Sequence, residues 1–134
     1  TSEPSDYVWS FSATGRCSGG ILAFSGVDTT NPINVEKGQS TPHSLSHSTP
    51  NVSTTVANTM LVTSQTFSST ATWVEPNGMT EAFDVAGRGQ TTGGSYVLQT
   101  TAGNTGGKVA TAVTTPDNGD FGNTHILALT PALE

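Results

Sequence analysis

No stretch of this chain sustains a helical period over ten residues. Its apolar residues alternate with Ser and Thr in short segments, and Gly, Pro and Asn punctuate them. Period two, broken by turn residues at intervals of roughly ten positions, is the pattern of antiparallel strands. Thr (24 residues) and Ser (15 residues) together exceed a quarter of the 134 residues, and Thr suits a pleated, half-exposed surface. Charged residues are only 10% of the chain, against about 25% in an ordinary soluble domain. We therefore expect a single all-β domain over residues 1–134. Its architecture is expected to be an antiparallel β-sandwich of jelly-roll type with about eight or nine strands.

The two densest apolar runs are residues 19–28 (GGILAFSGVD) and 125–130 (HILALT). Short continuous apolar runs bounded by turn residues read as strands buried on both faces. The sequence thus predicts that these two runs pair at the centre of the fold. Residues 7–13 alternate, with Tyr7, Trp9, Phe11 and Ala13 on one face, which predicts a strand with an aromatic core side. Further strands are expected at 20–25, 33–35, 52–56, 59–67, 73–74, 79–85, 95–101 and 109–113. Residues 39–50 read as an extended loop or edge strand. The four glycines of 86–94 and the Asp/Asn/Gly-rich stretch 115–123 read as loops. The predicted core is Trp9, Phe11, Ile21, Ala23, Leu61, Phe83, Val85, Ile126 and Leu129.

The formal net charge is -6, and the four cations Arg16, Lys37, Arg88 and Lys108 are scattered. Without a basic stripe there is nothing to neutralise phosphates, which argues against a nucleic-acid partner. No apolar stretch approaches the roughly 18 residues that a spanning helix needs, so membrane insertion is not expected. The sequence starts at Thr1 without Met, which reads as a processed or excised product. Cys17 is the single cysteine. It cannot form an internal disulfide and reads as a free thiol or a link between subunits. Asn51-Val52-Ser53 matches the N-glycosylation acceptor pattern.

Several stretches resemble a β-sandwich module found in bacterial surface and secreted proteins and in phage structural proteins, including minor tail proteins. They are residues 21–33 (ILAFSGVDTTNPI), 57–62 (ANTMLV), Trp73 with 76–81 (PNGMTE) and 125–131 (HILALTP). The match runs from about Glu3 to Ala132 with the motifs in order. The resemblance implies a β-sandwich on the outside of a cell or particle, and it brings no catalytic residues with it. Similar modules carry a further strand-rich segment upstream of the 3–7 match. Its absence here predicts either a fragment or a sandwich completed from elsewhere.

Chemistry-bearing residues are few. His43, His47 and His125 are the candidates for a zinc site, and solvated loop histidines are the competing account. Asp117, Asn118 and Asp120 around Gly119 form an oxygen-rich loop that could serve calcium, and Asp28 with Asn31 forms a second. Ordinary turn chemistry explains both equally, because Asp and Asn bond their own backbone. Trp73 and Tyr96 are the candidates for stacking on glycan, with core packing the competing account for each, and Tyr7 and Trp9 are expected in the core. Glu75, Glu81 and Asp84 are the carboxylates a hydrolase would draw on. Residues 87–89 (GRG) do not make a phosphate loop, since no strand feeds into a helix start there.

These residues lead to an expectation of a non-catalytic structural or attachment module, extracellular or on a cell or virion surface. Its partners would be other copies of itself or neighbouring structural subunits, and no cofactor is required. The alternatives are a carbohydrate-binding module of a secreted protein and, last, a glycoside-acting hydrolase. An exposed coplanar aromatic pair including Trp73 would favour glycan. A bare apolar patch or strand edge would favour assembly.

Overall fold

A computed structural model of the chain describes residues 3–115 and 118–133. Among the described residues there is no helix, and ten strands form antiparallel sheets. They are β1 (Ile33–Ser44), β2 (Ser46–Ser48), β3 (Ser53–Thr54), β4 (Thr59–Phe67), β5 (Thr72–Val74), β6 (Thr80–Gly87), β7 (Gln90–Gln99), β8 (Gly103–Asn104), β9 (Val109–Val113) and β10 (Asp120–Leu129). The pairing is nested: β1 with β10, β2 with β9, β3 with β8 and β4 with β7. The chain runs out as one half of a long ribbon and returns as the other half. The ribbon then folds on itself, so that β10 also pairs with β4 and β9 with β5. The results are a five-stranded sheet in the order β1-β10-β4-β7-β6, a three-stranded sheet β2-β9-β5 and the small pair β3-β8.

The alternation of β4 decides which side of the large sheet faces in. Thr59, Leu61, Thr63, Gln65 and Phe67 are buried, and the residues between them are half-buried. On β10 the inward row is Gly122, Thr124, Ile126 and Ala128, set directly opposite Phe67, Gln65, Thr63 and Leu61. Phe67 meets Trp73 of β5 and Ala110 and Ala112 of β9 across the gap, with Leu45 at the margin. The alanines of β9 leave the room that the indole fills. One buried cluster thus joins the five-stranded and the three-stranded sheets.

Several expected elements are found elsewhere or in another form. Residues 7–13 and 20–25 are not strands, and β10 takes β1 and β4 as neighbours in place of the 19–28 run. Only the tail of that run reaches the end of β10, through a bridge between Val27 and Pro131 and a hydrogen bond from the Asp28 N–H to the Thr130 carbonyl (2.9 Å). The rest is a strap lying across the outer face of the large sheet. Arg16 covers Gly89, Ser18 Oγ is 2.7 Å from Thr92 Oγ1, Gly20 rests on the Phe83 ring, and Phe24 meets Tyr96 edge-on at 5.9 Å. Its neighbours are side chains standing up from a sheet face, so its backbone finds no ladder to join.

Consequently Trp9, Phe11, Ile21, Ala23 and Val85 are exposed, and Phe83 and Leu129 are half-buried, while Leu61 and Ile126 are in the core as expected. The glycines of 86–94 do not form a loop. Arg88 and Gly89 alone turn the chain between Gly87 and its partner Gln90, and Gly89 supplies the positive φ of 80° that this turn demands. Gly93 and Gly94 lie back to back within β7. A Cβ on Gly93 would come within 2.7 Å of the Trp73 ring on the inner side, and one on Gly94 within 2.5 Å of the Phe83 ring on the outer side. Residues 39–50, left open between loop and edge strand, run through the second half of the edge strand β1 and through β2.

Candidate functional site

A run of uncovered apolar side chains gathers around residues 7–21. Tyr7 is 52% exposed, Trp9 64%, Phe11 68% and Ile21 50%, with Val8 also open. The chain bends at residues 12–13 and brings Trp9 and Phe11 back beside Cys17, Gly19, Gly20 and Ile21. Between them is a groove of about 540 Å³. Among the described residues, 3–25 make no backbone–backbone hydrogen bond to the sheets. The segment is strand-like in pattern but joins no ladder; its one backbone tie to a sheet is the Ser18 carbonyl, which accepts from Thr92 Oγ1 at 3.4 Å. The rings of Tyr7 and Trp9 are 6.5 Å apart and tilted by 36°. The Tyr7 hydroxyl donates to the Glu3 carboxylate, and that bond raises the Tyr7 pKa above its ordinary value. The exposed Cys17 thiol sits on the wall of the same groove.

The glycan candidates occupy other surroundings. Trp73 is 5% exposed and wedged between Phe67 (5.9 Å) and His47 (5.6 Å), both edge-on. No face of it is open to a sugar. Its indole Nε1 is buried without a hydrogen-bond partner. Tyr96 is half-buried beneath Phe24 of the strap. Trp73 thus takes the core place that was weighed against glycan stacking, beside the two small alanines of β9.

The three histidines are separated by their elements. His43 is exposed near the end of β1, edge-on to Phe121 at 5.6 Å. His47, one element later on β2, is fully buried against Phe67 and Trp73. The break between β1 and β2 undoes the shared face that their spacing would give on one strand. Both His47 nitrogens are engaged. Nε2 lies 2.9 Å from the Ser44 carbonyl, which can only accept, so Nε2 carries the proton. Nδ1 then accepts from the Thr41 hydroxyl at 2.5 Å. Burial holds the His47 pKa below its ordinary value, although the Ser44 bond and the Asp120 charge pull it upward. His125 is on the outer face of β10 and pairs with Glu36 of β1. Among the described residues, no three His, Cys, Asp or Glu side chains cluster as a metal site.

Of the calcium candidates, Asp117 lies outside the described residues. Asp120 spends its oxygens on the protein: Oδ2 accepts from Ser69 Oγ at 2.5 Å, and Oδ1 from the Phe121 N–H at 2.8 Å. These bonds hold its pKa below the usual carboxylate value. The Asn118 N–H donates to Thr114 Oγ1. Asp28 Oδ1 accepts from the N–H groups of Thr30 (2.8 Å) and Asn31 (3.2 Å), a turn bonding its own backbone. Among the hydrolase carboxylates, Asp84 points inward and accepts from the Trp73 N–H at 2.7 Å, with its other oxygen buried and unpartnered. Glu81 is exposed on β6, and Glu75 is half-buried after β5. Asn51 is exposed, and its Oδ1 accepts from the Gly106 N–H.

Sequence reasoning missed the His47–Phe67–Trp73 cluster. The available signal was the Ala-x-Ala of β9, which marks space for a large side chain, and the paired glycines 93–94. It found the aromatic residues of the arm but placed them inside. Comparison with protein-family models, with curated proteins and with solved structures finds no match to this chain.

Proposed function

We propose that this chain is a non-catalytic structural or attachment module, working on the exterior of a virion, filament or cell by packing against neighbouring subunits. The observation that carries the reading is the exposure of Tyr7, Val8, Trp9 and Phe11 in one segment with no backbone partner. A folded chain that leaves so contiguous an apolar patch uncovered has a partner surface in view. The Thr- and Ser-rich composition and the resemblance to surface and phage structural modules point the same way.

The nested strand order supports a jelly-roll sandwich as the scaffold. A two-stranded ribbon wrapped on itself accounts for the order β1-β10-β4-β7, to which β6 adds a fifth strand, and for β2-β9-β5. Folds of that kind serve both in capsids and in lectins, so scaffold alone does not choose between them. The carbohydrate-binding reading retains Tyr7 and Trp9 as its exposed aromatics, but loses Trp73 to the core.

Native mass spectrometry of the purified chain, run beside a glycan array, tests the proposal. Self-association, or capture into an assembly, without retention on sugars supports it. A monomer that binds a defined glycan replaces it with the carbohydrate-binding reading.

A further inference from the structure

We infer that the segment 3–21 is a self-complementary docking surface whose occupant is the same segment of a second copy of this chain. This rests on the assembly reading and names its partner and its contact.

Area and charge both favour a second copy. Burying an aromatic side chain fully removes about 150–250 Å² from water. With half to two-thirds of Tyr7, Trp9 and Phe11 open, and Val8 and Ile21 beside them, the patch offers on the order of 500 Å². That is the larger part of the roughly 800 Å² that each partner buries in a stable interface of standard size. The flanks of the segment then complete it. The patch is central and uncharged, as the buried heart of an interface should be.

The charges at its two ends have opposite sign. Glu3 and Asp6 precede the aromatics, and Arg16 follows them at the turn into the strap. A two-fold axis through the aromatic patch places the acidic end of one copy against Arg16 of the other, twice. An isologous contact needs this relation, in which one patch carries both halves of the match. The groove walled by Trp9, Phe11 and Ile21 supplies a concave seat for an aromatic side chain of the opposing arm. Residues 3–17 make no backbone–backbone hydrogen bond to the sheets, which leaves the aromatic end of the arm free to adjust as it docks.

Sedimentation velocity on the unmodified chain and on a Trp9→Ser/Phe11→Ser variant tests the inference, with near-ultraviolet circular dichroism of the buried Trp73 reporting that the variant is folded. Arg16→Glu is the second variant, since it reverses one end of the charge match and leaves the aromatics in place. The inference predicts a dimer for the unmodified chain and at least tenfold weaker association for both variants. It also predicts recovery when Glu3→Lys and Asp6→Lys are added to Arg16→Glu. Variants that associate as tightly as the unmodified chain overturn this surface but leave the assembly reading standing. An unmodified chain that is monomeric throughout also overturns this surface, and the assembly reading falls with it only if that monomer binds a defined glycan.

Discussion

Gly20 and Phe83 are pressed together so closely that a methyl group on the glycine would come within 2.6 Å of the ring. On the ring's other side Gly94 is equally close, at 2.5 Å from where its Cβ would stand. Phe83 is thus held between the strap and its own sheet, and a Cβ on either neighbour would crowd its ring. Phe83 is how the strap is attached.

The two glycines should respond unequally to the same change. Gly94 is fixed in the β7 ladder and cannot retreat, so Gly94→Ala should cost about 2–3 kcal/mol through overpacking. The strap carries no ladder at Gly20 and can lift, so Gly20→Ala should cost about 1 kcal/mol or less. Urea melts of both variants decide this. Equal costs would mean that the strap is as firmly seated as the strand.

The core is expected to lie with Phe67 and Trp73 and not with the arm. Phe67→Ala should destabilise by about 3–5 kcal/mol, since the ring is fully buried between two sheets. Trp9→Ala in the dilute, dissociated chain should change stability by no more than about 0.5 kcal/mol, as for other exposed side chains. A large loss at Trp9 under those conditions would return the arm to the core.

What the sequence made legible, and what it hid, follows from which residues obey local rules. β4 obeys them fully: its alternation placed Leu61 and Phe67 on one face and Met60 and Val62 on the other, and its bounds coincide with the expected 59–67. The short strand at Trp73 and the turn at residues 76–78 were also legible, since the Met79 N–H closes onto the Pro76 carbonyl at 3.0 Å. Residues 19–28 misled because apolar density says that a segment is covered on one side, and says nothing of whether it lies at a sheet edge or across a sheet face. Gly93 and Gly94 read as loop because glycine within a strand is explained only by rings arriving from distant parts of the chain. The histidine site was hidden for a similar reason, as the break between β1 and β2 separates His43 from His47.

Stability should depend on pH through His47. Its folded pKa lies below the ordinary value because its ring is buried. The unfolded chain therefore binds the proton more readily, and stability should fall as pH drops through about 6.5. The loss levels off once pH is below the lower, folded pKa. Asp120 is the charged group that acts on it, and Asp120 adds a separate loss at lower pH, as its own depressed pKa is crossed. Urea midpoints between pH 8 and 5, for the unmodified chain and for His47→Gln, check this. A slope that persists unchanged in the variant would assign it to another group.

Folding should not require a metal ion. Both Asp120 oxygens accept hydrogen bonds from protein donors, and Asp28 accepts two from its own turn. The melting temperature should be unchanged by a chelator such as EDTA. A fall of several degrees would contradict this and would direct attention first to Asp117, Asn118 and Asp120.

The most direct test of the account as a whole is sedimentation equilibrium of the unmodified chain across the micromolar range. An exposed aromatic arm that exists to be covered predicts a species at about twice the 13.7 kDa chain mass, dissociating on dilution. A single 13.7 kDa species at every concentration, folded and with Trp9 still open to a soluble quencher, would contradict it.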